Sequence, residues 1–313
     1  MDNSLKGALD LPYYQRSPFD FRQKMSPAVR RLMQFLSAVY VLQVLLAQFV
    51  PSTYVAMYRE LALDYAALAS DFRLWQLITY AVLHDVQISS PHARPLLDLF
   101  VCIGLIWGIY RGSLSNWTRR EPMLFLIAAF ASIFLIGQLG FGAPFHLGGN
   151  LLFFYFFGPL FERYWGPQRF LIFCLLSALG GAILSFTLSL TLSPRWVGTG
   201  AIGASGATMG LLMAYAVYYK NETVLAGFVV PMKAWHLLVL VVVFDVISLL
   251  SPNSGVAFFV HMGGLLTGWL LTTGNWRFSK LLHATKLSKL RRRKDRPSHL
   301  RVVRDDDDNP WIH

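Results

Sequence analysis

Long apolar stretches dominate this chain and limit what it can fold into. Eight of them, 16 to 25 residues long, contain no charged residue apart from one aspartate in each of two. A helix of about 20 apolar residues crosses the hydrocarbon core of a bilayer. Residues 122–161 are too long for one helix, and Gly and Pro residues near 137–144 divide them. We therefore predict eight transmembrane helices, over residues 32–50, 95–110, 122–145, 146–161, 170–194, 196–219, 234–250 and 256–274.

The composition supports an all-α polytopic membrane protein. Only 14% of the 313 residues are charged, whereas a soluble domain has about 25%. The net charge of +11 does not indicate a nucleic-acid-binding domain, because residues 277–304 alone carry 11 Lys and Arg against one acid. We expect no nucleic-acid partner, no metal and no cofactor.

The distribution of Lys and Arg predicts the orientation. If the N-terminus is cytoplasmic and the eight helices alternate, 24 of the 28 Lys and Arg fall on the cytoplasmic side. We therefore expect a cytoplasmic segment over 1–31, a membrane domain over 32–274 and a cytoplasmic tail over 275–313. The basic part of the tail, 286–296, is suited to contact anionic lipid headgroups.

The start of the chain and its cysteines give weaker indications. No cleavable signal peptide is evident, since the first apolar run begins near residue 32 without a small-residue cleavage site. Cys102 and Cys174 both lie inside apolar runs, so we expect no disulfide framework. The absence of a targeting peptide and the compact tails favour a prokaryotic plasma (inner) membrane.

Ser205 lies in the sequence Gly203-Ala204-Ser205-Gly206 at the predicted outer end of the sixth span. Small residues are common in membrane helices because they allow close packing, so this motif alone also fits a packing role. It is not the nucleophile elbow of soluble hydrolases, which has Gly two residues after the serine.

His261 gives Ser205 a possible partner. A histidine inside an apolar helix is costly and indicates a functional site. Gly264 and Gly268 share its helical face, and Gly206 and Gly210 follow Ser205 with the same four-residue spacing. The two helices can therefore pack face to face with serine and histidine at matching depth. A neutral imidazole is the usual base that activates a serine hydroxyl.

A third motif begins at the predicted outer end of the fourth span. His146 and Asn150 are four residues apart and so share one helical face. Both side chains can donate hydrogen bonds to a developing oxyanion. We expect Glu162, near the inner end of the same helix, to pair locally and to order a cytoplasmic turn.

These motifs resemble those of the rhomboid family of intramembrane serine proteases. The resemblance rests on three motifs that follow one another along the chain in the family's order. They are His146 with Asn150 and Glu162, then Ser205, and then His261 with Gly264 and Gly268. The segment from Trp75 to Tyr80, ending at His84, resembles the one that follows the family's first span. Together the likeness covers about residues 30–275.

The resemblance implies a fold and a chemistry. The fold would be a six-helix bundle, here with two further spans. Ser205 would be the nucleophile and His261 the general base, with no required acid. His146, Asn150 and the backbone N–H of Ser205 would form the oxyanion hole. The activity would be endoproteolysis of single-span or membrane-anchored proteins near the outer face.

The sequence departs from the family pattern at two places. Met209 stands one turn after the nucleophile, where the family commonly has an aromatic residue that packs on the histidine. About 60 residues separate His84 from His146 and contain two apolar segments. We interpret residues 95–140 as an inserted transmembrane hairpin; alternatively, 122–140 replaces the usual first helix and the earlier spans are an N-terminal addition.

Two other functions are compatible with an apolar chain of this kind. A catalytically inactive rhomboid-like protein that binds membrane proteins would lack one or both of Ser205 and His261, and this chain has both. A transporter would show internal repeats, which the sequence lacks. For Asp98 and Asp245, each inside an apolar stretch, we expect interhelical pairing or a cavity-facing position rather than catalysis.

The inserted hairpin generates a prediction. Because Arg111, Arg119 and Arg120 flank its turn, residues 111–121 should be cytoplasmic. In a background without Cys102 and Cys174, an impermeant thiol reagent added outside should label a cysteine at position 90 and spare one at position 115. Labelling of both positions from outside would show that these segments do not cross the membrane.

Overall fold

The computed structural model describes residues 25–86, 143–192, 200–226, 230–249 and 255–274. The chain forms one compact unit up to Thr272, and a second unit starts at Thr273, of which the description includes two residues. The predicted hairpin at 95–140, the first 24 residues and the tail from 275, including 286–296, lie outside the described residues.

The described part of the chain is mostly helical, and six of its helices have 14 or more residues. They are α1 (Pro27–Phe49), α5 (Ala143–Trp165), α6 (Pro167–Ser189), α7 (Ser205–Tyr218), α8 (Ala234–Leu249) and α9 (Gly255–Thr273). Three short helices lie between α1 and α5. They are α2 (Pro51–Leu61), α3 (Tyr65–Ser70) and α4 (Gln76–Thr79), and a 3₁₀ turn over Tyr80–Val82 follows α4.

Two small antiparallel sheets accompany the helices of this mostly helical chain. Strand β1 (Leu63–Asp64) pairs with β2 (Gly200–Ala201), with Leu63 opposite Ala201. Strands β3 (Thr223–Ala226) and β4 (Val230–Lys233) form a hairpin between α7 and α8. The β1–β2 pair joins segments that are distant in sequence, which no local pattern reveals.

The long helices agree with the predicted apolar stretches except at one end. Two of them, α1 and α6, are long and apolar enough to cross a membrane by length and composition, and α8 and α9 contain shorter apolar segments. The stretch at 196–219 is not one helix, because β2 and a turn precede α7, which begins at Ser205. These helices thus support a membrane protein, and eight spans remain a prediction.

Glu162 fixes the start of α1 against the end of α5. Its carboxylate accepts hydrogen bonds from the Ser26 hydroxyl and from the backbone N–H groups of Ala28 and Val29, at 2.9 and 2.8 Å for the two amides. The first N–H groups of a helix lack partners within it, and a carboxylate there also suits the helix dipole. The expectation that Glu162 pairs locally is therefore wrong, since its partners are more than 130 residues away.

The segment before residue 87 is an integral part of the same bundle. The Gln43 side chain in α1 makes two hydrogen bonds to the backbone of His84. It accepts one from the His84 N–H at 3.0 Å and donates one to the His84 carbonyl at 2.9 Å. The Tyr80 hydroxyl donates to the carbonyl of Ala178 in α6 at 2.7 Å. These contacts hold α1 and residues 80–84 to the later helices. The interpretation of residues 95–140 as an inserted hairpin stays a prediction.

Helix α9 packs with its backbone against α6 and α7. A Cβ placed on Gly264 would lie 2.2 Å from the carbonyl oxygen of Gly206, and one on Gly268 would lie 2.6 Å from that of Gly210. On the adjacent face, a Cβ on Gly263 would lie 2.5 Å from the carbonyl oxygen of Gly180. Only glycine allows this approach, as in other close helix contacts in membranes.

The glycine contacts generate a prediction. Gly264→Ala should lower the midpoint of thermal unfolding in mild detergent, because its methyl group would overlap a backbone carbonyl and overpacking costs about 1–3 kcal/mol. Gly149→Ala is the matched control, since nothing lies within 4 Å of a Cβ at that position in α5. Equal midpoints for the two variants would contradict the close contact of α7 and α9.

Candidate active site

The register of α7 against α9 determines the relative positions of Ser205 and His261. Gly206 contacts Gly264 and Gly210 contacts Gly268, so the two helices run parallel. Ser205 comes one residue before Gly206, and His261 comes three residues before Gly264. The offset between them is thus two residues. At a rise of 1.5 Å per residue, the positions of Ser205 and His261 along the helix axes differ by only about 3 Å. Both are partly accessible, whereas the glycines beside them are buried.

A turn before α7 places Ser205 at the first position of that helix. Gly203 has φ +111°, which L-residues with a side chain rarely adopt, and its N–H donates to the Tyr80 carbonyl at 2.9 Å. The β1–β2 pair holds the chain two residues earlier. Since the first N–H groups of a helix have no partner within it, the Ser205 amide is a suitable donor to an anion.

His146 lies against this turn. A Cβ on Gly203 would be 2.3 Å from His146 Nε2, so the imidazole packs on the glycine with no room for a side chain. His146 also interacts electrostatically with His261. The structure thus brings His146 of α5 close to the turn before α7 and to the histidine of α9.

Asn150 is buried and its amide makes three contacts. The Nδ2 group donates to the His146 carbonyl at 2.9 Å and lies 3.3 Å from His84 Nε2, and Oδ1 lies 3.3 Å from the Thr208 hydroxyl. Thr208 belongs to α7 and its hydroxyl also lies 3.0 Å from the Ser205 carbonyl. Asn150 therefore links α5 to the first turn of α7. To donate a hydrogen bond to a substrate, Asn150 Nδ2 would give up the longer of its two contacts, the one to His84 Nε2.

His84 is a member of this cluster that the motif analysis gave no role. Its side chain is fully buried, and its ring lies 5.3 Å, centre to centre, from that of His146. Burial, with a smaller contribution from His146, lowers the pKa of His84 to about 3, so the ring is neutral at physiological pH. A neutral Nε2 without hydrogen can accept from Asn150. The clue in the sequence was the position of His84 at the end of the Trp75–Tyr80 segment.

Asp245 is the second contributor that the motif analysis left without a role. Its Oδ2 lies 2.9 Å from His261 Nδ1, which joins α8 to α9. Both side chains are mostly buried, with exposed fractions of 16% and 15%. Of the two positions expected for Asp245, interhelical pairing is the one found. Its partner could not be read from the sequence because it depends on how α8 packs.

Met209 is buried in the core one turn after Ser205. It belongs to the cluster of apolar residues that fills the bundle between α1, α5, α6 and α7. The position is thus a packing position, and a contact of Met209 with His261 stays a prediction. Among the described residues, no group of three or more His, Cys, Asp or Glu could hold a metal ion.

The four motif residues and Asp245 all lie within the segment that a known family model matches. The model of the rhomboid domain matches residues 129–278. Over these residues the chain is similar to the rhomboid family. This family includes serine intramembrane proteases, and the likeness together with the apolar helices supports a membrane protein.

One relative of this chain is the mitochondrial RHOMBOID-like protein 12 of Arabidopsis thaliana. The two are 28% identical over 163 residues, covering 49% of this chain and 46% of the relative. The matched part thus spans less than half the length of the relative. Because the relative is named as mitochondrial, it gives no support to the expectation of a prokaryotic plasma membrane.

Proposed function

We propose that this chain is an intramembrane serine endopeptidase that cleaves membrane-anchored proteins. The observation that carries the proposal is the packing of α7 on α9 through Gly206 and Gly264, which gives Ser205 and His261 a common depth. A serine needs a base at hydrogen-bond distance to become nucleophilic, and His261 is the histidine of the facing helix. An inactive relative would not need both residues in this arrangement.

In the proposed reaction, the Ser205 hydroxyl oxygen attacks the carbonyl carbon of the scissile peptide bond. His261 Nε2 takes the hydroxyl proton as the new C–O bond forms. Contact with Asp245 occupies Nδ1, which leaves Nε2 for this role. The imidazolium then gives the proton to the departing amine, and a water molecule, activated by the same imidazole, hydrolyses the acyl-enzyme.

The negative charge that develops on the carbonyl oxygen needs donors. We assign this role to the Ser205 backbone N–H and to the side chains of His146 and Asn150. The supporting observations are the position of Ser205 at the start of α7 and the contacts of His146 with Gly203. Such donors contribute because they are already held in place when the charge develops.

The location of substrates and termini also belongs to this proposal. We propose single-span or membrane-anchored substrates cleaved near the outer face, and both termini on the cytoplasmic side. The support is the asymmetry of Lys and Arg along the sequence. The parallel course of α7 and α9 fits it, since one intervening span, α8, returns the chain to the starting side.

The first test concerns Ser205. A fluorophosphonate probe in mild detergent should label the parent protein, and Ser205→Ala should abolish both the labelling and the cleavage of a single-span reporter. His261→Ala should leave almost no activity, because the serine then lacks its base. Ser254, outside the matched motifs, serves as the control, and Ser254→Ala should label like the parent. Undiminished cleavage by Ser205→Ala would refute the proposed nucleophile, and an unlabelled, inactive parent would favour the inactive rhomboid-like alternative.

The second test separates the oxyanion donors from the base. Asn150→Ala should lower the apparent kcat by about 10²–10³-fold, the loss typical of one oxyanion donor, with apparent KM nearly unchanged. Thr208→Val is the matched control, because it removes only the hydroxyl that contacts Asn150 Oδ1 and leaves the donor present. It should cost less than Asn150→Ala. A variant Asn150→Ala that changes KM alone would show that the asparagine binds substrate without stabilising the oxyanion.

A further inference from the structure

Tyr80, in the 3₁₀ turn after α4, is a buried tyrosine to which the proposed chemistry assigns no role. Its side chain has no exposed surface. A buried tyrosine hydroxyl usually has a hydrogen-bond partner, and here the partner is the carbonyl of Ala178 in α6, at 2.7 Å. The side chain therefore extends from the loop into the helix bundle.

The Tyr80 hydroxyl lies where α6, α7 and α9 meet. A Cβ on Gly206 of α7 would lie 3.1 Å from this oxygen. The same Cβ would lie 3.2 Å from the Cα of Ala178 in α6 and 3.4 Å from a methyl group of Val260 in α9. On the α6 side, a Cβ on Gly181 would lie 3.4 Å from the hydroxyl oxygen. Glycine at positions 181 and 206 thus leaves the space that the hydroxyl fills.

These contacts bring Tyr80 to the neighbours of both residues of the proposed dyad. Gly206 directly follows Ser205, and Val260 directly precedes His261. Val260 is buried and belongs with Tyr80 to one apolar cluster. A displacement of the Tyr80 side chain would therefore shift the backbone that carries the serine relative to the backbone that carries the histidine.

The backbone of Tyr80 holds the chain on the other side of the serine. Its carbonyl accepts a hydrogen bond from the Gly203 N–H at 2.9 Å. Gly203 comes two residues before Ser205, and Gly206 comes one residue after it. Tyr80 thus contacts the chain on both sides of Ser205, with its carbonyl at residue 203 and its hydroxyl at residue 206.

Ser205 needs support from outside its own helix. It is the first residue of α7, where backbone N–H groups have no partner within the helix, and no side chain caps this end. A nucleophile must be held closely, since a misplacement of about 1 Å can cost about 10²-fold in rate. The contacts of Tyr80 supply a restraint of this kind.

We propose that Tyr80 is a positioning residue for Ser205, which it holds from both sides so that the serine hydroxyl faces His261. The inference rests on the proposed protease function. Tyr80 takes no proton and acts only through the backbone at Gly203 and Gly206. The loop before α5 thereby contributes to the reactivity of a serine that lies more than 120 residues later in the chain.

The experiment measures the rate at which a fluorophosphonate labels Ser205 in the full chain, together with the unfolding midpoint of the same sample. Tyr80→Phe removes the hydroxyl and keeps the ring and the backbone carbonyl. It should label about fivefold more slowly, a factor that corresponds to the loss of one ordinary hydrogen bond. The apparent kcat on the reporter should fall in proportion, with KM within about twofold, because the lost contact does not bind substrate.

Two matched variants separate positioning from packing. Thr79→Val removes the hydroxyl of the preceding residue, which donates to the carbonyl of Leu61 in α2 at 2.7 Å. Tyr65→Phe removes a hydroxyl from the same apolar cluster, on a ring that packs against Phe186 near the end of α6. Both should label like the parent even if their unfolding midpoints fall. If Tyr80→Phe labels like the parent, or if all three variants slow equally, Tyr80 has only a structural role and the proposal fails.

A measurement on the parent protein covers the case in which Tyr80→Phe does not fold. Hydrogen exchange resolved to single residues should show the Gly203 amide exchanging as slowly as the amides inside α7, because the Tyr80 carbonyl holds it. Exchange as fast as that of an unprotected amide would overturn the proposal. Absence of labelling at Ser205 in the parent would instead refute the protease function itself, so the two failures are distinguishable.

Discussion

The contact of α9 with α6 and α7 through glycine backbones is the constraint on which the rest of the structure depends. Apolar side chains gain little from meeting each other in a lipid environment, so close van der Waals contact must hold the helices together. Gly206 and Gly264 allow this contact because neither has a Cβ. The same contact sets the register of α7 against α9, and with it the depth of Ser205 relative to His261. Helix packing and candidate chemistry thus depend on the same residues.

The polar groups of the bundle are concentrated where elements from distant parts of the chain meet. Asn150 joins α5 to α7, His84 reaches the same cluster from the loop after the 3₁₀ turn, and Asp245 joins α8 to α9. A buried polar group is costly unless it is hydrogen-bonded, so each of these contacts also stabilises the helix arrangement. Because of this double role, a loss of activity on substitution does not by itself distinguish a chemical role of the side chain from a packing role.

Sequence reasoning succeeded where the signal is local. The long helices follow from uninterrupted apolar runs, and the facing of Gly264 and Gly268 towards α7 follows from their four-residue spacing. It failed at residues 200–204, where an apolar run continues but β2 and the Gly203 turn replace the helix. It also failed for Glu162, whose partners at 26–29 are more than 130 residues away. In both cases the outcome depends on a partner segment that a local window does not contain.

By itself, the sequence determined that this is an apolar, helical chain with rhomboid motifs, because helix length, charge and glycine spacing are properties of short segments. It also identified Ser205, His261, His146 and Asn150 as the candidate site. Only the tertiary structure decided which groups surround them: Asp245 on His261, and His84 and Thr208 on Asn150. The physical reason is that a hydrogen bond between helices requires the donor and acceptor atoms to lie within about 3 Å of each other. That condition depends on the packing and rotation of whole helices, which the chain acquires only when it folds.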